Sequence, residues 1–255
     1  MIRRTMAEFD VKAGIKLIRE RIEEAYAQRP KSLEAPKPTL VAVSKTKPVE
    51  MIIDAYSTGQ RHFGENYVKE LVEKSQHPDI LRECPEIKWH FIGHLQNNKI
   101  NKVLKLPNLH MIQTVDNEKL ANNLNSAWEK IQIENKQPLK ILIQVNTSGE
   151  EAKNGIQPSE APAFFKHIRQ NLSNLQLDGI MTIGAFGHDY STGPNPDFIK
   201  LMEVQREICK QNAVEPEVLQ VSMGMSDDFD KAIEMGSTIV RVGSSIFGHR
   251  AMKNA

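Results

Sequence analysis

Several things are scarce in this sequence, and each shortage removes a class of protein. Cysteine occurs twice in 255 residues, at Cys84 and Cys209, far apart and without CxxC spacing. That excludes a disulfide framework or a cysteine zinc site and points to a reducing compartment. Charge of one sign is also missing: 33 basic residues face 32 acidic ones, so no global field favours nucleic acid or an anionic membrane. No apolar run approaches the ~20 residues of a membrane span. The start, MIRRTMAEFD, turns acidic before any signal-length apolar run, so the expectation is a cytoplasmic protein, with a mitochondrial pool as the lesser alternative. Internal repeats, low-complexity tracts and domain linkers are absent as well.

What remains is an alternating α/β pattern. Val11, Ile15, Ile18, Ile22 and Ala25 form a helical stripe, with Lys16, Arg19 and Glu23 on the other face, which predicts an amphipathic helix ahead of any strand. A proline-rich connector, Arg29 to Pro38, follows. Short apolar runs then predict eight strands, near Leu40–Ser44, Arg61–Phe63, Ile87–Ile92, His110–Thr114, Leu139–Asn146, Leu175–Ile183, Val218–Ser222 and Thr238–Val242. Helical stripes fill the gaps, two of them stopped by Gly59 and Gly236; Asn97 to Leu106 is a further helix candidate. Eight strands alternating with helices favour a (β/α)8 TIM barrel over an open sheet. The stretch after the last strand, FGHRAMKNA, is too short for an eighth outer helix, so the leading helix is expected to cover that gap. The domain reading is one domain over 1–255, with helix and connector in 1–38 and the barrel in 39–250.

In such a barrel the carboxyl ends of the strands share one functional rim, with a phosphate site commonly built after strands seven and eight. Three stretches fall there: SKTKP, SMGMSDDF and RVGSSIFGHR. A lysine from the first, with small residues and hydroxyls from the others, suits a phosphorylated carbonyl compound held by an imine and a phosphate cradle. An ammonium has a pKa of ~10.4 in water and is a poor nucleophile at neutral pH; burial at a barrel mouth releases the amine. Lys45 ends the apolar run and Lys47 lies two residues on, so depth alone favours Lys45, and two solvated loop lysines are the plain alternative. Ser226 is placed to cap a helix from Asp227, with Gly224 allowing close backbone approach. Arg241 interrupts an apolar strand and needs a partner, either a ligand or a carboxylate across the barrel. His90 and His94, four apart, fall on and after a strand, so a helical zincin pair is not expected. Lys99, Lys102 and Lys105 read as a solvated helix face, without the aromatic interleaving of an RNA binder. Lys153, in SGEEAKNG on the same rim, is expected to be an exposed loop lysine, with ligand contact as the alternative.

Seven blocks, AVSKTKP, HFGENYV, WHFIGHLQNNK, IQVNTS, GIMTIG, SMGMSDDF and VRVGSSIFG, occur in the order in which they occur in the pyridoxal phosphate homeostasis protein family. The sequence resembles that family from the first strand nearly to its last residue. This family is related to the N-terminal barrel of alanine racemases. The resemblance implies pyridoxal 5′-phosphate as cofactor, held by Lys45 as the internal aldimine. It implies a phosphate site from Ser222 and the backbone around Met223 with Gly243 and Ser244, and Arg241 facing the pyridine nitrogen. Where the family usually has threonine, Ser244 keeps the hydroxyl. Asn66 and His90 fall in blocks that line the cofactor side of that family.

An arginine beside the pyridine nitrogen disfavours its protonation and weakens the ring as an electron sink. The second base of alanine racemases comes from a tyrosine in a further domain, and the chain is expected to lack it. The resemblance therefore implies a non-catalytic carrier in vitamin B6 homeostasis, monomeric rather than an obligate oligomer, with apo-enzymes that use the cofactor as acceptors. The competing enzyme reading is an amino-acid racemase, and a weaker one is a lysine-dependent aldolase-type barrel.

Overall fold

The computed structural model describes residues 9–33, 35–134, 136–150, 153–185 and 187–249. The ends of the predicted domain, 1–8 and 250–255, lie outside the described residues.

The predicted first stripe becomes α1 (Val11–Gln28), started by Asp10, whose side chain accepts the Ala13 N–H at 2.9 Å. The eight apolar runs become β1 (Thr39–Val43), β2 (His62–Glu65), β3 (Lys88–Phe91), β4 (Leu109–Val115), β5 (Leu139–Gln144), β6 (Leu175–Met181), β7 (Gln220–Ser222) and β8 (Ile239–Val242). All neighbours pair in parallel, and β8 returns to β1 with Thr39 opposite Ile239, so the barrel is closed. Around it run α2 (Val49–Ser57), α3 (Val68–Ser75), α4 (Pro78–Glu83), α5 (Ile100–Leu104), α6 (Glu118–Lys130), α7 (Ala161–Asn171), α8 (Pro196–Asn212), α9 (Phe229–Glu234) and α10 (Ser244–Phe247).

Several strand ends are shorter than expected: β6 stops at Met181, β3 spans only Lys88–Phe91, β1 stops at Val43 and β8 starts at Ile239, and two further ends have a plain cause. Val218 belongs to a 3-10 turn opened by Pro216, which cannot donate to a ladder, and Val145 leaves β5 to bridge Ile156. The six-residue α4 is additional; its run is too short to show a stripe.

Strand alternation sorts the core into two parts. The larger apolar cluster joins strands to helices, including Phe63, Trp89 and Phe91. A smaller one, Val41, Met111, Leu142, Met181 and Ile239, draws on five strands and fills the barrel interior. The helix covering the gap beside the last strand is α1, as expected. Its five stripe residues are buried, and Gly14 packs so closely on α10 that a Cβ there would lie 2.9 Å from the Ile246 carbonyl oxygen. Arg21 reaches Asp230 of α9 at 3.0 Å. Arg29 donates to the carbonyls of Ile233 at 2.8 Å and Ser237 at 2.6 Å.

Candidate functional site

At the carboxyl ends of the strands lies a cleft of about 720 Å³. Its wall joins Lys45 and Lys47 after β1, Asn66 after β2, Met225 and Ser226 after β7, and Arg241, Gly243 and Ser244 in and after β8. The three rim stretches singled out in the sequence thus meet in one place. The reason is the parallel closed topology, which brings every strand's carboxyl end to the same mouth.

Lys45 is held on both sides by backbone contacts. Ser44 N–H donates to the Gly64 carbonyl at 3.0 Å, and Lys47 N–H returns to the Ser44 carbonyl at 3.0 Å. Thr46 between them has φ 63, an uncommon region for a β-branched residue, and its N–H donates to Glu70 Oε2 at 2.6 Å. Beneath this turn sits a buried ion network. Lys74 Nζ donates to the Ser44 carbonyl at 2.8 Å, Glu65 Oε1 at 2.8 Å and Glu70 Oε2 at 2.9 Å. Burial raises the Glu65 carboxyl, opposed by Lys74. Lys47 Nζ donates to the His249 carbonyl at 3.0 Å, at the cleft edge.

Arg241 is buried, and no carboxylate stands within 4.0 Å of it among the described residues; the carboxylate partner across the barrel is therefore not what holds it. Its Nη1 donates to Ser222 Oγ at 2.6 Å and its Nη2 to the Thr182 carbonyl at 2.8 Å. Burial pulls the guanidinium down to about 10, with Asp228 opposing, so it stays charged at neutral pH.

Ser222 and Met223 lie beneath the cleft, not on its wall. The Ser222 hydroxyl is fully buried between Arg241 and Gln113, 2.7 Å from Gln113 Oε1, and Met223 N–H donates to the Ile239 carbonyl. Ser226 is on the wall instead. The helix expected to start at Asp227 begins at Phe229, with Asp228 accepting the Met225 N–H at 2.7 Å, and Ser226 Oγ accepts the Gly243 N–H at 3.1 Å. Gly224 permits this loop: its φ is 92, and a Cβ would sit 2.5 Å from the Ala232 Cβ. Lys153 is not on the cleft wall; it ties its own loop to the next by donating to the Gly184 carbonyl at 2.8 Å. His90 lies inside the barrel, in a cluster with His62 and His110.

The residues that sequence reasoning missed are Thr182, Gln113 and Ser226 as a wall residue. A signal existed for Gln113, a polar residue interrupting an apolar strand as Arg241 does. For Ser226 the local pattern favoured a cap, and only the packing of Gly243 against it decides otherwise.

The alanine racemase N-terminal domain family matches residues 19–251 of this chain. The pyridoxal phosphate homeostasis protein of Mus musculus is 53% identical over 244 residues, covering 96% of this chain and 88% of the relative; that of Haemophilus influenzae is 41% identical over 241 residues, covering 94% and 96%. The chain belongs to the pyridoxal phosphate homeostasis protein family. PipY of Synechococcus elongatus, a solved structure with PLP bound, is 31% identical with a TM-score of 0.72, covering 91% of this chain and 100% of that one. Alanine racemase from E. faecalis shares the fold, at 18% identity and a TM-score of 0.60, and this chain spans 60% of its length.

The cleft suits the cofactor that PipY carries. Asn66 is on the cleft wall, and its Oδ1 has no hydrogen-bond partner among the described residues, so a ligand group that donates a hydrogen bond would satisfy it. Arg241 supplies a fixed positive charge in the same wall.

Proposed function

We propose that this protein binds pyridoxal 5′-phosphate in the cleft at the carboxyl mouth of the barrel and serves vitamin B6 homeostasis by holding and releasing it. The supporting observation is the convergence of Lys45, Arg241, Gly243 and Ser244 on one cleft in a chain whose relative PipY has been solved with PLP bound. When bound, the cofactor supplies a reactive aldehyde and an electron-accepting ring. Lys45 provides the primary amine to which the aldehyde is tethered. Ser226 and Ser244 provide two hydroxyls for the phosphate and Gly243 a position without a side chain, the Gly243 N–H being engaged by Ser226 and the hydroxyl of Ser222 engaged below. Arg241 faces the ring nitrogen, and Asn66 gains the partner that its oxygen lacks.

The role is non-catalytic in this reading, because a permanent guanidinium charge at the ring nitrogen weakens the ring as an electron sink. Cytoplasmic monomers that pass the cofactor to apo-enzymes complete the proposal. Purified protein incubated with pyridoxal phosphate is expected to show a visible absorbance band, and borohydride reduction is expected to mark Lys45. Lys45→Ala should lose the band, and a wild-type protein that takes up no cofactor would defeat the reading. Deuterium exchange at the α-carbon of a panel of amino acids should not exceed that of the cofactor alone; exchange well above it would make the protein an enzyme.

A further inference from the structure

The barrel interior carries three imidazoles below the cleft: His62 at the start of β2, His90 in β3 and His110 in β4. Their ring centroids are 5.0 to 5.1 Å apart, and a nitrogen from each lies within 4.8 Å of the others, as in a metal site. The spacing of one pair argues otherwise. His90 Nε2 is 2.8 Å from His62 Nδ1, whereas two nitrogens on one tetrahedral zinc, at bond lengths of about 2.0–2.1 Å, stand about 3.3 Å apart. The pair is spaced as a hydrogen bond. Lys88 and Lys140 add positive potential beside all three rings, which also opposes a dication.

We propose that Gln113 and His90 are positioning residues for Arg241, joined to it in a one-way hydrogen-bond chain that runs from Arg241 through Ser222, Gln113 and His90 to His62. The direction follows from the first member, because a guanidinium can only donate. Its Nη1 is 2.6 Å from Ser222 Oγ, so Ser222 accepts there and turns its own proton to Gln113 Oε1, 2.7 Å away. With its oxygen so engaged, the Gln113 amide presents its NH2 to His90 Nδ1 at 2.9 Å. His90 Nδ1 therefore accepts and carries no proton. The neutral ring bears its proton on Nε2 and donates it to His62 Nδ1 at 2.8 Å.

Arg241 thus dictates the tautomer of a histidine three hydrogen bonds away. The chain transmits orientation and not protons, since a carboxamide interposed at Gln113 does not pass a proton along. A protonated His90 would set an N–H against the Gln113 NH2, and burial already keeps this ring neutral by lowering its pKa well below the ordinary value. At the other end, Ser222 and the Thr182 carbonyl take one N–H from each terminal nitrogen of Arg241. The guanidinium plane is fixed where it forms part of the cleft wall. A buried network in which every member has its partner rigidifies its surroundings, and here it does so beneath the group proposed to meet the cofactor ring.

The inference deepens the cofactor reading, but its first test needs no cofactor. Two-bond proton–nitrogen spectra of the imidazoles in the full chain at neutral pH should show His90 wholly as the Nε2–H tautomer. Ser222→Ala releases Gln113 and should give a mixture of tautomers. Gln113→Glu, an acceptor at both oxygens, should move the His90 proton to Nδ1 or give an imidazolium. A wild-type His90 protonated on Nδ1, or a signal unmoved by both variants, would overturn the chain. The Ser222→Ala arm decides it alone if Gln113→Glu does not fold, because that change removes a single oxygen. With pyridoxal phosphate added, Gln113→Leu should weaken binding about tenfold and Gln113→Glu should restore most of it; equal affinity in wild type and Gln113→Leu would remove the positioning role. A wild-type protein that binds no cofactor would instead defeat the cofactor reading, with the chain then judged on the tautomers.

Discussion

Lys45 and Lys47 show how much a two-residue difference carries. Both line the cleft, yet Lys47 donates to the His249 carbonyl at the edge, while Lys45 follows directly on a strand end tied by Ser44 to the buried Lys74. Lys47→Ala should therefore keep the visible band that Lys45→Ala loses. The turn at Thr46 holds a left-handed conformation that costs on the order of 1–3 kcal/mol in a non-glycine residue, and Glu70 accepts its N–H. Glu70→Gln removes a charged acceptor from Thr46 and an ion pair from Lys74. It should lower stability by about 1–2 kcal/mol and slow cofactor uptake, measured by urea unfolding and by the growth of the band. The sequence made Lys45 visible as the end of an apolar run. Glu70 and Lys74 were hidden, because on α3 they look like any solvated i, i+4 pair.

At the level of elements, α1 completes the barrel wall beside β8 and α10. Its stripe was legible residue for residue, since helical period and burial coincide there. Arg29, just past its end, was not legible: a connector arginine gave no hint of two carbonyl partners some 200 residues away. Arg29→Ala should cost about 2–4 kcal/mol through the loss of these charge-assisted hydrogen bonds and the stranding of the carbonyls. Chemical denaturation would show it as a lower midpoint with an unchanged slope. A larger slope change would mean that α1 detaches by itself. The same contrast holds after β7. Ser226 reads as a helix cap by residue type, but the helix starts later, and the serine serves the loop between two strands.

Across the whole molecule, the histidine cluster links stability to pH. Burial, with help from Lys88 and Lys140, lowers His62 to about 4; burial, followed by His62 and the same lysines, lowers His110 to about 4. Each folded value lies below the ordinary 6.5, so the unfolded chain binds more protons between the two. The contribution is complete above about pH 6.5 and is lost as pH falls towards 4. An isolated, fully buried group with such a shift would be worth about 3 kcal/mol, and two partly exposed, coupled rings contribute less than twice that. The carboxyls of Glu65, Asp178 and Asp228, raised by burial, act with the opposite sign: their contribution is fully present below the unfolded carboxyl range and is lost as pH rises through the folded values. The melting temperature should fall between pH 7 and 4.5 in wild type and fall less in His110→Phe. Equal slopes would show that the cluster does not titrate as described. The monomer proposed above would be tested by sedimentation.

The amino-acid sequence alone carries the barrel, the leading helix and the rim stretches, because period and apolar runs are local properties that eight parallel strands must display. It also singled out Lys45, Arg241, Gly243 and Ser244 through their place at strand ends and their family blocks. Which hydroxyl faces the cleft, and that Arg241 is held by Ser222 and Thr182 rather than by a carboxylate, follows from the folded structure. It alone joined Gln113, His90 and His62 into one chain. The physical reason is that hydrogen-bond direction across a barrel depends on side chains from different strands, whose meeting no spacing along one strand can encode.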